Sequence, residues 1–212
     1  MCTGRLDLSY ILRAFSNGAD GVFIIGCHLN ECNYITHGNF HALSMAHLCK
    51  KLMEHIGLNP ERLRIQFMSG GEGILFAEVM NDFSKKIKEL GPLGKSDGID
   101  KDVLKSKLES LASLVPYMRL VERERLRLPF KTKEEFDTFF KSDEFNRLFN
   151  ELVVDKLALS RITSLLREKP LSTGKIAEIL GLTPSEVSRH MNTSSRHGLV
   201  KYDVDQKSYA LA

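Results

Sequence analysis

Gly21-Val22-Phe23-Ile24-Ile25-Gly26-Cys27-His28-Leu29-Asn30-Glu31-Cys32-Asn33-Tyr34 is the stretch on which the fold turns. A run of β-branched and aromatic residues between glycines reads as a buried parallel strand. In open α/β sheets, ligands gather in the crevice beyond the carboxyl ends of such strands. Cys27 and Cys32 fall there, with four residues between them. A third cysteine, Cys2, lies in Met1-Cys2-Thr3-Gly4-Arg5. Thiolates are soft ligands, and iron–sulfur clusters are held by cysteine thiolates. The pattern points to electron transfer through such a centre. Spacing alone also admits reduced, partly buried thiols in an ordinary α/β domain. An all-cysteine cluster takes four ligands, and this group supplies three. Gly4 and Gly26 flank the thiols and let backbone amides approach the sulfurs.

Residues 8–15 carry helical spacing (Leu8, Ile11, Leu12, Phe15) that stops at Asn17-Gly18, a C-terminal signal. Residues 39–56 predict a second helix ended by Gly57. Residues 62–68 alternate as a strand through Leu63, Ile65 and Phe67. Ser69-Gly70-Gly71 then turns into a helix over 72–90, closed by Gly91-Pro92. The α-β-α-β-α order implies a mostly parallel sheet with helices on both faces. Two internal strands are few for such a sheet. Either strands come from elsewhere or the sequence lacks its beginning, and the second is the expectation.

Gly94-Lys95-Ser96-Asp97-Gly98 reads as a linker. Beyond it, 99–114 and 117–127 predict amphipathic helices interrupted at Pro116. Residues 130–149 predict two short helices packing phenylalanine rings inward. From 157 the character changes. A helix through Leu157, Ile162, Leu165 and Leu166 precedes a short helix over 175–180 and the turn Gly181-Leu182-Thr183. A third helix follows over 184–197, with Thr183 as N-cap and Pro184 in its first position. Segments 199–203 and 207–211 then predict two strands around Asp205-Gln206. Helix, helix-turn-helix and β-hairpin is a winged-helix order. The chain therefore divides into 1–92, a helical region over 93–151, and 152–212.

The chain has 212 residues, 42% hydrophobic and 27% charged, enough for two domains of ordinary size. No apolar run approaches the ~20 residues of a membrane helix. Arg5, Asp7 and Arg13 interrupt any secretory signal, and four cysteines without such a signal read as metal or redox thiols. The expected compartment is the cytoplasm. The net charge of +3 resides wholly after position 151, where nine Lys/Arg face six Asp/Glu. That excess allows a nucleic-acid surface.

Three further features, Cys49, the histidines and Glu72, have a structural explanation that outweighs a functional one, whereas the face of the 184–197 helix favours DNA contact. Cys49 sits on the apolar side of the 39–56 helix, where free cysteine acts as a small hydrophobe. His28, His37, His41 and His47 crowd together but match no zinc-finger spacing. Glu72 opens a helix at a strand end, where a phosphate could dock, yet Ser69-Gly70-Gly71 lacks the lysine or the glycine pattern of a phosphate loop. On the 184–197 helix, Ser185, Ser188, Arg189, Asn192 and Arg196 are types that bond phosphates and base edges. Winged helices also dock proteins.

Met1-Cys2-Thr3-Gly4-Arg5-Leu6-Asp7, Gly18-Ala19-Asp20-Gly21-Val22, Gly26-Cys27-His28, Cys32-Asn33-Tyr34, Gly38-Asn39 and Leu90-Gly91-Pro92 together resemble the delta (iron–sulfur) subunit of methyl-viologen-reducing hydrogenases. The resemblance covers residues 1 to about 92. It implies a 2Fe–2S cluster with Cys2, Cys27 and Cys32 as ligands, in a partial parallel-sheet iron–sulfur domain of α/β class. It further implies an electron-transfer subunit, not a catalytic one, linking a hydrogenase or formate dehydrogenase to the flavoprotein subunit of heterodisulfide reductase in methanogenic metabolism. Family members usually carry an upstream strand and a cysteine-rich loop, the expected source of the fourth ligand. The shortest members lack the C-terminal extension, which resembles a repressor-type winged helix. The alternative function is a redox-responsive DNA-binding regulator.

Overall fold

The computed structural model describes residues 2–34, 38–126 and 128–212. His37, one of the crowded histidines, and Arg127, the expected end of a helix, lie outside them. The chain is mostly helical and forms two compact units, residues 1–146 and 147–212. Among the described residues no helix is long and apolar enough to cross a membrane.

In the first unit, α1 (Leu8–Ser16) is capped by Asp7, whose carboxylate accepts from Ser9 N, and buries Leu8, Ile11, Leu12 and Phe15. Strand β1 (Val22–Gly26) pairs in parallel with β2 (Leu63–Phe67), in the register Val22↔Leu63 through Gly26↔Phe67. The predicted parallel pairing forms. Helix α2 (Asn39–Ile56) joins the strands and ends at Gly57, which adopts φ 88°. It is buried on more of its circumference than an amphipathic stripe requires, with Leu43, Ser44 and Leu48 joining Ala42, Met45, Cys49, Leu52 and Met53. Helix α3 (Gly73–Leu90) packs on the other side of β1 through Phe83, whose ring lies 5.2 Å from that of Phe23.

Two expectations are corrected. Helix α4 (Lys101–Arg125) runs through Pro116 as one 25-residue element. An internal proline costs about 3 kcal/mol, but Leu108, Leu111, Val115, Met118 and Val121 are buried on both sides of it. Arg119 also pairs with Asp7 at 2.7 Å. Burial on both flanks outweighs the broken hydrogen bond. The 94–98 stretch is no free connection either. Asp97 closes on the fully buried Arg62 at 2.9 Å, while the same guanidinium donates to Gly91 O, Asp20 O and Ser96 Oγ.

Helix α5 (Lys133–Lys141) carries a Thr132–Glu135 capping box, and α6 (Asp143–Phe149) follows. Phe136, Phe139, Phe140 and Phe145 form the expected ring cluster, Phe140 and Phe145 lying 4.6 Å apart between centroids.

In the second unit, a π turn over Asn150–Val154 leads into α7 (Asp155–Glu168), then α8 (Thr173–Leu180) and α9 (Pro184–Arg196). Strands β3 (Val200–Asp203) and β4 (Ser208–Leu211) form an antiparallel hairpin, the wing. Gly181, at φ 67°, closes α8 and turns the chain toward α9, whose Thr183 and Glu186 complete a capping box. Ile162, Leu166, Leu171, Ile176, Val187, Met191 and Val200 form one core. The predicted winged-helix order is present.

Candidate functional site

Three short backbone devices bring the thiols together. Cys2 caps the 3-10 turn Thr3–Arg5, its sulfur accepting from Gly4 N at 3.3 Å. Thr3 Oγ1 donates to Ile25 O at 2.7 Å and so pins that turn to the carboxyl end of β1. Cys27 follows β1 directly and is exposed. Asn39, the first residue of α2 and almost fully buried, donates through Nδ2 to Cys27 O at 2.9 Å, His28 O at 2.7 Å and Cys27 Sγ at 3.5 Å. Gly38 backs Cys32, and a Cβ there would lie 2.4 Å from Cys32 Sγ.

The sulfurs of Cys2 and Cys32 are 3.8 Å apart, far beyond a disulfide bond of about 2.05 Å. A tetrahedral metal with ~2.3 Å bonds to sulfur sets two of its sulfurs about 3.8 Å apart. The pair fits two corners of such a site. Cys27 lies close enough for partial desolvation, the Cys32 thiol and the charges of Cys32 and Cys2 to push its thiol up. Burial also opposes ionisation of Cys32, but amide donors at Tyr34 and Asn39 and the neighbouring thiols outweigh it and hold that thiol below its usual range. Soft donors, N–H groups aimed at sulfur and the space preserved by Gly38 suit thiolate ligation. Among the described residues, however, no three His, Cys, Asp or Glu side chains converge on one metal position. Cys49 stands apart, fully enclosed in α2, and burial pushes its thiol up to about 12.

Among the described residues, the histidines of that group, His28, His41 and His47, do not assemble. His28 pairs with Glu72 at 2.7 Å, His41 with Glu122 at 3.0 Å, and His47 lies 3.2 Å from Asp137. Each meets a carboxylate on a different element. Glu72 also accepts from Ser69 N, which makes Ser69-Gly70-Gly71 a tight, self-bonded connection. The carboxyl ends of β1 and β2 open into a cleft of about 640 Å³ that includes Cys27, Met68, Glu72 and Phe76.

On α9, Ser185, Arg189, Asn192 and Arg196 are exposed and Ser188 is half-buried. Offsets of 4, 7 and 11 residues place the first four on one helix face. Arg189 is engaged by Asp155 of α7 at 2.8 Å. Spacing of cysteines flagged the thiols and Gly38-Asn39 was among the motifs of the resemblance, but nothing in the sequence marked Asn39 and Gly38 as neighbours of the thiols, or Asp155 as the partner of Arg189.

Residues 1–91 match the family described as methyl-viologen-reducing hydrogenase, delta subunit. Residues 160–202 match the bacterial regulatory protein, arsR family. The iron-sulfur subunit of the F420-non-reducing hydrogenase of Archaeoglobus profundus is 47% identical over 91 residues, which are 43% of this chain and 66% of that protein. The vhu iron-sulfur subunit of the F420-non-reducing hydrogenase of Methanopyrus kandleri is 40% identical over 92 residues, 43% of this chain and 69% of the relative. One subunit of the ferredoxin/F(420)H(2)-dependent CoB-CoM heterodisulfide reductase of Methanosarcina acetivorans is 43% identical over 94 residues, 44% of this chain but 12% of that protein. The aligned part of the chain thus spans about two thirds of the hydrogenase relatives and a small part of the reductase polypeptide. Through its first 91 residues, this chain belongs to the methyl-viologen-reducing hydrogenase delta subunit family.

Proposed function

We propose that the first unit is an electron-transfer iron–sulfur module. In this reading Cys2, Cys27 and Cys32 are three of the ligands to a 2Fe–2S cluster. When bound, such a cluster supplies a one-electron donor and acceptor. The observation that carries the reading is the 3.8 Å approach of Cys2 and Cys32 at the carboxyl end of a parallel strand. The protein's own groups hold charge at the sulfurs: Gly4 N donates to Cys2, Asn39 Nδ2 to Cys27, and the amides of Tyr34 and Asn39 to Cys32. The fourth ligand comes from outside this set, and Cys49 is excluded by its burial. The relatives' names, those of hydrogenase iron-sulfur subunits and of a heterodisulfide reductase component, support a place between a hydrogenase and heterodisulfide reductase; formate dehydrogenase as an alternative donor and the reductase's flavoprotein subunit as the acceptor are part of the proposal alone.

Anaerobic reconstitution with iron, sulfide and a small thiol that can fill the remaining position tests the ligand set. Cys27→Ser and Cys32→Ser should each abolish the visible absorption and the paramagnetic signal of the reduced protein. Cys49→Ala should keep both, with unchanged iron and sulfide content. Loss of the signal in Cys49→Ala would overturn the assignment. Co-purification with a flavoprotein reductase tests the partner.

A second reading, a redox-responsive DNA-binding regulator, is favoured by one observation: the exposed Ser185, Arg189, Asn192 and Arg196 face in a region matching the arsR family. A symmetric homodimer footprinting a specific operator would put this reading first.

A further inference from the structure

Beside Cys32 the first unit contains a second cavity, of about 650 Å³, within the 300–1,000 Å³ common for small-molecule sites. Its walls are largely apolar, with Phe40 from α2, Leu126 and Leu128 after α4, and Phe130 and Phe136. These rings form flat surfaces. Phe40 and Phe136 lie nearly parallel at 5.8 Å between centroids, and Phe130 stands edge-on to Phe136 at 5.5 Å. Flat aromatic walls favour a flat guest through offset stacking and edge contacts.

Polar side chains line it as well, Asn30, Tyr34 and Asn39 among them. His41 Nδ1 lies 3.0 Å from Glu122 Oε1, with both side chains largely buried. Ser44, one turn along α2 from Phe40, is 4% exposed, and its hydroxyl has no hydrogen-bond partner among the described residues. Leaving a buried hydroxyl unpaired costs about 1–3 kcal/mol, and buried polar groups in folded proteins are rarely left so. Ser44 lines this cavity, so a guest can supply its partner. A carboxylate accepts an N–H, and a hydroxyl can donate to a C=O. Two such groups lining one cavity can together meet an N–H/C=O (lactam) edge. Among the described lining residues an anion finds little support, since His41 already faces Glu122 and Lys131 is exposed.

We propose that this cavity binds a small, planar, uncharged heteroaromatic compound with a lactam edge, its ring against Phe40, Phe130 and Phe136 and its edge on Ser44 and Glu122. The inference is independent of the cluster assignment, because none of these five residues is a proposed ligand.

The test titrates lumazine (a pteridine dione) into the full chain at pH 7, following its fluorescence. Saturable 1:1 binding is expected. Ser44→Ala should weaken it about five- to tenfold, the loss of one neutral hydrogen bond, while leaving the thermal midpoint equal or higher. Ser44→Leu should abolish binding by filling the cavity. Cys32 is the one cysteine among the described residues that line the cavity, so in the cluster-free protein lumazine should slow alkylation of Cys32 by iodoacetamide but not of Cys27. Naphthalene, flat but without the edge, should bind at least tenfold more weakly. The proposal falls if lumazine shows no saturable binding up to millimolar concentration, if naphthalene binds as well, or if Ser44→Ala binds unchanged. A midpoint several degrees lower in Ser44→Ala would also overturn it, by making the hydroxyl a structural group.

Discussion

Arg62 shows how much one side chain can organise. Its guanidinium is fully enclosed, yet it donates to backbone oxygens from Asp20 and Gly91 and pairs with the nearly buried Asp97. Removing one partner of a buried pair leaves an uncompensated charge at a cost of about 3–5 kcal/mol. Asp97→Ala should therefore destabilise the first unit by about that amount in urea unfolding. Replacing both residues, Arg62→Met with Asp97→Leu, should recover part of the loss. His47 gives a second prediction at this scale. Burial against Phe140, whose ring stacks at 4.8 Å, pushes its pKa down to about 4, although Asp137 works the other way. The unfolded chain takes up a proton near pH 6.5 while the folded one does not until about 4. The contribution is thus present above pH 6.5 and lost as the pH falls from 6.5 towards 4, amounting to at most about 3 kcal/mol. His47→Phe should flatten stability across that window, and an unchanged slope would contradict the assignment. Neither role is legible in the sequence. Arg62 reads as the first residue of the 62–68 strand, and a lone arginine carries no signal of burial. The cysteines are legible because thiols are few and their spacing is local. Asn39 and Gly38 are not, because their task is set by where Cys27 and Cys32 arrive in space.

Elements follow the sequence closely where local signals agree with packing. Helix α1 stops where Asn17-Gly18 predicts, and α2 ends at Gly57. The capping chemistry of α9 also stands as expected, with Thr183, Pro184 and Glu186. Helix α4 is the exception, because tertiary packing overrides a local breaker. If burial of Leu111, Val115 and Met118 carries α4 past Pro116 against an intrinsic penalty, then removing the proline should release it. Pro116 is exposed, so Pro116→Ala should not disturb the core. It should raise stability by up to about 3 kcal/mol, less whatever the proline gains by restricting the unfolded chain. A lower thermal midpoint in this variant would mean that the helix is adapted to a kink there. Helix α3 poses the opposite case. Its sequence is amphipathic, yet only Phe83 is buried and Ile74 is 80% exposed. Periodicity reports that a helix has an apolar side without saying what covers it.

At the scale of the whole molecule, the distribution of charge sets a test between the two functional readings. The first 151 residues are neutral and the remainder carries the whole excess of +3. Arg189 and Arg196 on α9 and Lys201 and Lys207 in the β3–β4 hairpin are exposed cations. Arg189 is held by Asp155, but both side chains are well exposed, and such a surface pair is worth only about 0–1 kcal/mol. Phosphate can therefore compete for Arg189. Three or four phosphate contacts, each lowering log affinity by ~0.9 per decade of salt, imply a loss of roughly 40- to 150-fold between 0.05 and 0.2 M. The full chain should retard duplex DNA at low salt and release most of it near 0.2 M. Arg189→Ala and Arg196→Ala should each weaken binding and reduce the salt slope by about 1. Asp155→Ala should strengthen it by freeing Arg189. If no DNA of any sequence is retarded even at 0.05 M salt, the exposed face of α9 serves protein docking and the regulator reading falls. Tight, sequence-selective binding that survives 0.2 M would require base contacts beyond these phosphate pairs, and would place regulation ahead of electron transfer as the task of the whole chain.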